Sequence, residues 1–174
     1  YLTIDGASAP APGITIYAPD IRTSISGPAH DIIIRNLRMV GLGGSGKEGL
    51  DIWELDGGGQ PVYNIILDHI TAEKAGDGIF DIYGTVHDVT ISWNLIKDKI
   101  LSTHVIPASS GSNQRYNISF HHNVFARNSE RQIMIRGDSK VDYVNNVVYG
   151  WGWFECAGRG LDVQTELATD PQMN

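Results

Sequence analysis

The fold is decided by residues 116–149, which read YNISFHHNVFARNSERQIMIRGDSKVDYVNNVVY. This stretch holds two apolar strand patterns, and each closes on an Asn-containing cluster, HHN at 121–123 and NN at 145–146. Ile and Val dominate the strand patterns, as they do in parallel strands that are buried on both faces. The stretch therefore predicts short parallel strands joined by polar turns.

The same pattern recurs along the chain. Five segments alternate apolar residues and then close on Asn, His or a similar polar residue: 30–39, 63–72, 87–96, 116–125 and 141–149. Aligning them brings together one column of residues, with steps of 33, 24, 29 and 23: Asn36, His69, Trp93, His122 and Asn145. A neighbouring column contains Asn94, Asn123 and Asn146. Periods in this range are typical of stacked repeats, and stacked Asn side chains can hydrogen-bond from one turn to the next.

No segment sustains a helical period over three turns, so the repeat predicts an all-β fold. We expect a right-handed, single-stranded parallel β-helix in which residues 1–174 form one domain. An antiparallel sandwich is the alternative, but it requires hairpin turns every 8–12 residues, which are not the dominant pattern.

Composition limits the classes of partner. The net charge of −7 argues against nucleic acid, and no apolar run approaches the roughly 20 residues of a membrane helix. Cys156 is the single cysteine, so an intrachain disulfide is excluded. Secretion stays possible, because a large β core needs no disulfide.

The carboxylates suggest a cation site. Asp77 and Asp81 lie four residues apart in DGIFDI (77–82), so a strand directs both to the same face. KEGLDI (47–52) has the same apolar frame one repeat earlier, which could bring Glu48 or Asp51 beside the pair. Oxygen ligands of this kind favour Ca²⁺ over zinc. The alternative is an acidic, solvated face.

Two arginines suggest an acidic substrate. Arg131 and Arg136 lie five residues apart, so they share a face of the strand only if the segment bends. Two guanidinium groups converging on a groove would suit carboxylates, although two solvated surface arginines are the simpler reading.

His69 and His122 lie in the turn column without zinc-ligand spacing, and we interpret them as structural.

The chain resembles the extracellular pectate lyases, which have a parallel β-helix fold. The matching elements follow the order of the family: NIILDH (64–69), DGIFDI (77–82), VTISWNLI (89–96), KDKIL (97–101), FHHNVF (120–125), ERQIMIRG (130–137) and VDYVNNVVY (141–149). The resemblance implies β-elimination in polygalacturonate, dependence on Ca²⁺ and secretion.

The resemblance also assigns roles to residues. Arg131 matches the catalytic base, and Lys99 and Arg136 match residues that hold substrate carboxylates. Asp77 and Asp81 match two calcium ligands, and Glu48 aligns best with the ligand from the preceding turn, with Asp51 as the alternative.

Two departures from the family motif lie beside Arg131. Ile133 stands where the motif has Pro, which leaves the backbone freer, and Glu130 stands where it has Gln. A non-catalytic module that binds acidic polysaccharide, or a self-assembling β-helix, is therefore the alternative function. The chain lacks the family's usual N-terminal portion, so we expect a trimmed monomer whose exposed ends could stack by strand pairing.

Overall fold

The computed structural model describes residues 1–17, 21–22, 28–41, 53–75, 78–98, 103–106, 115–137, 139–152 and 160–164. These residues form fourteen strands: β1 (Leu2–Asp5), β2 (Thr15–Tyr17), β3 (Ile21–Arg22), β4 (Ala29–Val40), β5 (Trp53–Glu73), β6 (Phe80–Ser92), β7 (Leu95–Lys97), β8 (Thr103–Ile106), β9 (Arg115–His121), β10 (Val124–Ala126), β11 (Ile133–Arg136), β12 (Val141–Val144), β13 (Val147–Tyr149) and β14 (Leu161–Gln164). Across these ranges there is no helix long and apolar enough to cross a membrane.

The strands wind into coils that present three faces, and every pairing between them is parallel. The first face contains β1, the first half of β4, the middle of β5, the second half of β6, β9 and β12. The second face contains β2, the ends of β4 and β5, β7, β10 and β13. The third face contains β3, the starts of β5 and β6, β8, β11 and β14. The predicted all-β parallel β-helix is confirmed.

Apolar residues stack inside the coils in rows set by the strand register. On the first face, Leu67 pairs with Ile91 and Ile91 with Phe120, and all three are completely buried. Burial of a side chain of this size stabilises a fold by about 1.5–3 kcal/mol. The repeated Ile and Val pattern therefore sets which residues face the core.

The predicted turn column forms the corner between the first and second faces. All five of its residues adopt the left-handed conformation, with φ between 51° and 58°: Asn36, His69, Trp93, His122 and Asn145. One residue later, the amide of Asn94 donates to Asn123 Oδ1 at 3.1 Å, and that of Asn123 donates to Asn146 Oδ1 at 2.9 Å. The predicted stacking of these three Asn side chains is confirmed.

A second ladder marks the corner where the first face begins. Its rings stack in near-parallel planes with centroids 4.8–5.2 Å apart: His30, Tyr63, His87 and Tyr116. The residues that follow them also hydrogen-bond between coils, as when Asn64 Nδ2 donates to Asp31 Oδ1 at 2.9 Å. Both corners are thus held by polar and aromatic side chains, while the core between them is apolar.

Candidate active site

Asp81 lies on the third face in a setting shaped by its neighbour Gly78. Its side chain is buried, and Tyr83 Oη donates a hydrogen bond to its Oδ2 at 3.2 Å. A Cβ atom at position 78 would lie 2.2 Å from the carboxylate carbon of Asp81. The spacing D-G-x-x-D therefore has a physical reason, because only glycine at 78 leaves room for the Asp81 carboxylate.

The register places further titratable residues beside Asp81. Glu54 pairs with Asp81 from the preceding coil, and His104 pairs with it from the following coil. Sequence reasoning did not single out Glu54. The sequence pattern that could have identified Glu54 is the match between Trp53-Glu54-Leu55 and Phe80-Asp81-Ile82, because both triplets have an acidic residue between two apolar ones.

Arg131 stands at the turn that leads into β11. Its φ is 60°, a conformation that residues other than Gly, Asn and Asp seldom adopt. Its carbonyl accepts a hydrogen bond from the Thr103 backbone N–H at 3.0 Å, in the preceding coil. The segment bends at this residue, which is the condition under which Arg131 and Arg136 can share a face.

A buried pair of amide side chains holds this turn. Gln132 Nε2 donates to the Asn128 carbonyl at 3.1 Å, and Asn128 Nδ2 donates to Gln132 Oε1 at 3.3 Å and to the Ile96 carbonyl at 3.0 Å. A left-handed residue costs about 1–2 kcal/mol, and each such hydrogen bond contributes about 0.5–1.5 kcal/mol. The amide pair therefore suffices to offset the conformational cost at Arg131.

Ile133 begins β11 as a core residue, completely buried and paired with Leu161 of β14. We expected the loss of Pro at this position to leave the backbone before it freer. The structure differs, because Asn128 and Gln132 fix that backbone through their side chains, and Ile133 instead fills the interior. No sequence pattern available to us distinguished this amide pair from ordinary polar turn residues.

Arg136 ends β11 and is half-buried. Its Nε is buried and has no hydrogen-bond partner among the residues that the structure describes. Its carbonyl accepts a hydrogen bond from Ser139 Oγ at 2.7 Å, which fixes the turn after the strand. Because the residue as a whole is only half-buried, part of its side chain stays accessible, and a guanidinium group matches a carboxylate partner.

Asp81 and Arg136 belong to the same side of the third face. Met134 lies in the row of Asp81, two strands away through His104, and Arg136 follows Met134 by two residues. Strand spacing and rise put the two Cα atoms roughly 12 Å apart. Arg131 precedes the same strand, so the structure brings all three residues to one region of the third face.

Four of the predicted site residues lie outside the described residues: Glu48, Asp51, Asp77 and Lys99. Within the described ranges, no group of three His, Cys, Asp or Glu residues could hold a metal ion. Of the three predicted calcium ligands, Asp81 lies in the described ranges, where its carboxylate is buried and Glu54 pairs with it in register.

The histidines of the turn column lie at the opposite corner of the coil. His69 Nδ1 is 2.5 Å from Asp68 Oδ2, and Trp93 stacks between His69 and His122 with centroids 6.1 and 4.4 Å apart. These contacts account for both rings through neighbours in the stack, in line with the structural role that we predicted.

Comparison with known proteins identifies relatives among lyases. The chain is 34% identical over 155 residues to a probable pectate lyase C of Emericella nidulans, an alignment that covers 87% of this chain and 33% of that protein. It is 33% identical over 157 residues to a probable pectate lyase C of Aspergillus terreus, with the same coverage of each chain. It is 30% identical over 130 residues to a pectate trisaccharide-lyase of Bacillus licheniformis, covering 69% of this chain and 36% of that protein.

No family model matches the chain, and no solved structure matches it either. The chain spans about a third of the length of the curated relatives. The aligned region nevertheless takes in most of the coils, including the strands of the third face that carry Asp81 and Arg136. By its sequence this chain is a relative of the pectate lyases over most of its own length, and its parallel β-helix fold is consistent with that relationship.

Proposed function

We propose that this chain carries the catalytic coils of a calcium-dependent pectate lyase, which cleaves polygalacturonate by β-elimination to unsaturated oligogalacturonates. The observation that carries the proposal is the arrangement of the third face. The buried carboxylate of Asp81 lies on β6, Arg136 ends β11 two strands away, and Arg131 lies in the turn that leads into β11.

Substrate binding in this proposal is the work of cationic side chains. Arg136 is only half-buried, and its guanidinium group could donate hydrogen bonds to a uronate carboxylate. Lys99 is the second proposed contact to a substrate carboxylate, on the basis of the family resemblance. The net charge of −7 makes such local cations necessary, because the protein as a whole repels a polyanion.

The proton step is assigned to Arg131. In β-elimination the base removes the proton on C5, the electron pair forms the C4–C5 double bond, and the C4–O4 bond breaks. The leaving oxygen then takes a proton from water. A guanidinium that is already protonated cannot act as base, so the role requires alkaline conditions and nearby positive charge. The fixed turn around Arg131 would hold the group at the C5 proton.

Calcium is the proposed cofactor, with Asp81, Asp77 and Glu48 as the ligands and Glu54 or Asp51 close to the same site. When bound, Ca²⁺ would neutralise the uronate carboxylate and acidify the C5 proton. We also propose that residues 1–174 form one domain of a secreted protein that acts as a monomer.

The test is incubation of the chain with polygalacturonate at alkaline pH, with Ca²⁺ or with a chelator, while ultraviolet absorbance is followed. We expect absorbance of the unsaturated uronate to rise only with Ca²⁺. Release of reducing ends without that absorbance would indicate hydrolysis instead. Binding of polygalacturonate without either product would contradict the proposal.

A further inference from the structure

We infer that Gln132, together with Asn128, is a positioning residue for Arg131, an inference that rests on the proposed function of Arg131. Neither amide is accessible to substrate, because both side chains are completely buried. Their effect on the reaction would therefore pass through the backbone of the turn that presents Arg131.

The two amides close the turn on itself. Gln132 Nε2 donates to the Asn128 carbonyl at 3.1 Å, while Asn128 Nδ2 donates to Gln132 Oε1 at 3.3 Å. Arg131 lies between these residues in sequence, with its φ at 60°. Each hydrogen bond spans four residues, so any relaxation of Arg131 toward ordinary backbone angles would separate the paired amides.

The same turn is anchored to the coils on both sides. Asn128 Nδ2 donates to the Ile96 carbonyl at 3.0 Å in the preceding coil. The backbone N–H of Gln132 donates to the Gly160 carbonyl at 3.1 Å in the following coil. The Arg131 backbone therefore has a fixed position relative to the strands of the third face.

Folding alone gives little reason for an amide at this place. The next residue, Ile133, is a core residue, and Ile96 and Phe125 are also completely buried. Apolar side chains of similar volume in place of both amides would fill the same space without burying polar side chains. What the amide adds is one specified turn conformation, and Arg131 is the residue that this conformation presents.

The experiment compares Gln132→Met with the unchanged chain in assays with polygalacturonate and saturating Ca²⁺. Met keeps the volume and removes the amide. We expect kcat to fall by about tenfold to a hundredfold, with KM changed by less than about twofold, because a small displacement of a catalytic group has effects of that size. Asn128→Ala removes the other side chain of the pair and should lower kcat in the same way, so the test does not depend on one variant folding.

Asn94→Ala is the matched control. Asn94 is a buried amide of the corner ladder, away from the third face, and its loss should lower the melting temperature while kcat stays within about twofold. An equal fall of kcat in this control would overturn the inference, since the loss would then report folding. Unchanged kcat in Gln132→Met would overturn this inference and leave the proposed function standing. Absence of lyase activity in the unchanged chain would overturn both the inference and the proposed function.

Discussion

At the scale of single residues, the candidate site depends on two positions where a side chain and the backbone constrain each other. At Gly78 the absence of a Cβ atom makes room for the Asp81 carboxylate. At Arg131 a left-handed backbone is fixed by neighbouring amides. In both cases, a residue that the motifs predict to be functional depends for its position on neighbours that have no proposed role in the reaction.

Gly78→Ala should displace the Asp81 carboxylate and so impair its proposed role, while Asp81 itself stays in the sequence. The new Cβ would lie 2.2 Å from the Asp81 carboxylate, so the carboxylate or the backbone must shift. Strain of this kind typically costs about 1–3 kcal/mol. We expect a matching loss of unfolding free energy in urea and weaker Ca²⁺-dependent binding of an oligogalacturonate by calorimetry. Gly160→Ala is the control, because a Cβ there meets none of the described residues within 4 Å. Normal binding by Gly78→Ala would show that the position of the Asp81 carboxylate does not affect binding.

Arg131→Lys and Arg136→Lys should separate turnover from binding. Lysine keeps the charge but loses the planar fork of donors that matches a carboxylate. At 131 we expect kcat to fall by about a hundredfold or more with little change in KM, because a proton-transfer role acts only in the transition state. At 136 we expect a higher KM and a smaller effect on kcat, because the lost contact is to bound substrate. Steady-state kinetics on polygalacturonate measures both, and full activity of Arg131→Lys would remove Arg131 from the mechanism.

At the scale of elements, the coil is held by ladders that connect equivalent turns, and the sequence reveals some of these better than others. The alignment at Asn36, His69, Trp93, His122 and Asn145 was predictable because a left-handed corner must recur in every coil. The Asn ladder followed from the same alignment. Position decided the conformation more than residue type, since Trp93 has a φ of 55° at the corner and Asn145 has one of 54°.

Other features could not be read from the sequence for physical reasons. The pairing of Glu54 with Asp81 depends on a register that Gly-rich segments of unequal length set, and period alone does not fix it. The amide pair of Asn128 and Gln132 depends on three-dimensional contacts with Ile96 and Gly160. The metal and substrate ligands proposed at Glu48, Asp77 and Lys99 remain predictions.

The Asn ladder should contribute most to the free energy of unfolding at its most buried position. Asn123 is completely buried and makes side-chain hydrogen bonds to Asn94, Asn146 and the Ile91 carbonyl. Asn123→Ala would leave several of these groups buried without partners, at about 1–3 kcal/mol for each. We expect a loss of at least about 3 kcal/mol in urea unfolding. Asn146→Ala, at the half-buried end of the ladder, should cost less, and an equal loss for both would show that burial does not decide the effect.

At the scale of the whole molecule, ionised carboxylates connect one coil to the next. Glu73 is buried on the second face, 2.7 Å from Arg38 Nη2 in one coil and 2.5 Å from Lys97 Nζ in the next. Burial acts to raise the pKa of Glu73, but hydrogen bonds from Lys97 and Arg38 outweigh it and leave the pKa lowered. At the first face, Asn64 hydrogen-bonds Asp31 and lowers its pKa in the same direction.

These lowered pKa values predict acid sensitivity, and Glu73 is the group through which it can be measured. A carboxylate whose pKa is lower in the folded than in the unfolded chain contributes its full stability above the ordinary value, 4.5 for this residue. That contribution is lost as the pH falls through the lower, folded-state value.

Glu73→Gln cannot ionise, so the variant should be less stable than the unchanged chain at about pH 6, and the difference should shrink by about pH 3. Urea unfolding of both chains at the two pH values measures this difference. Asp31→Asn is the comparison at a half-buried position, where a smaller change is expected because solvent screens the charge more than at Glu73. If the Glu73→Gln difference is the same at both pH values, the ion pairs of Glu73 do not link the coils in the way that the structure indicates.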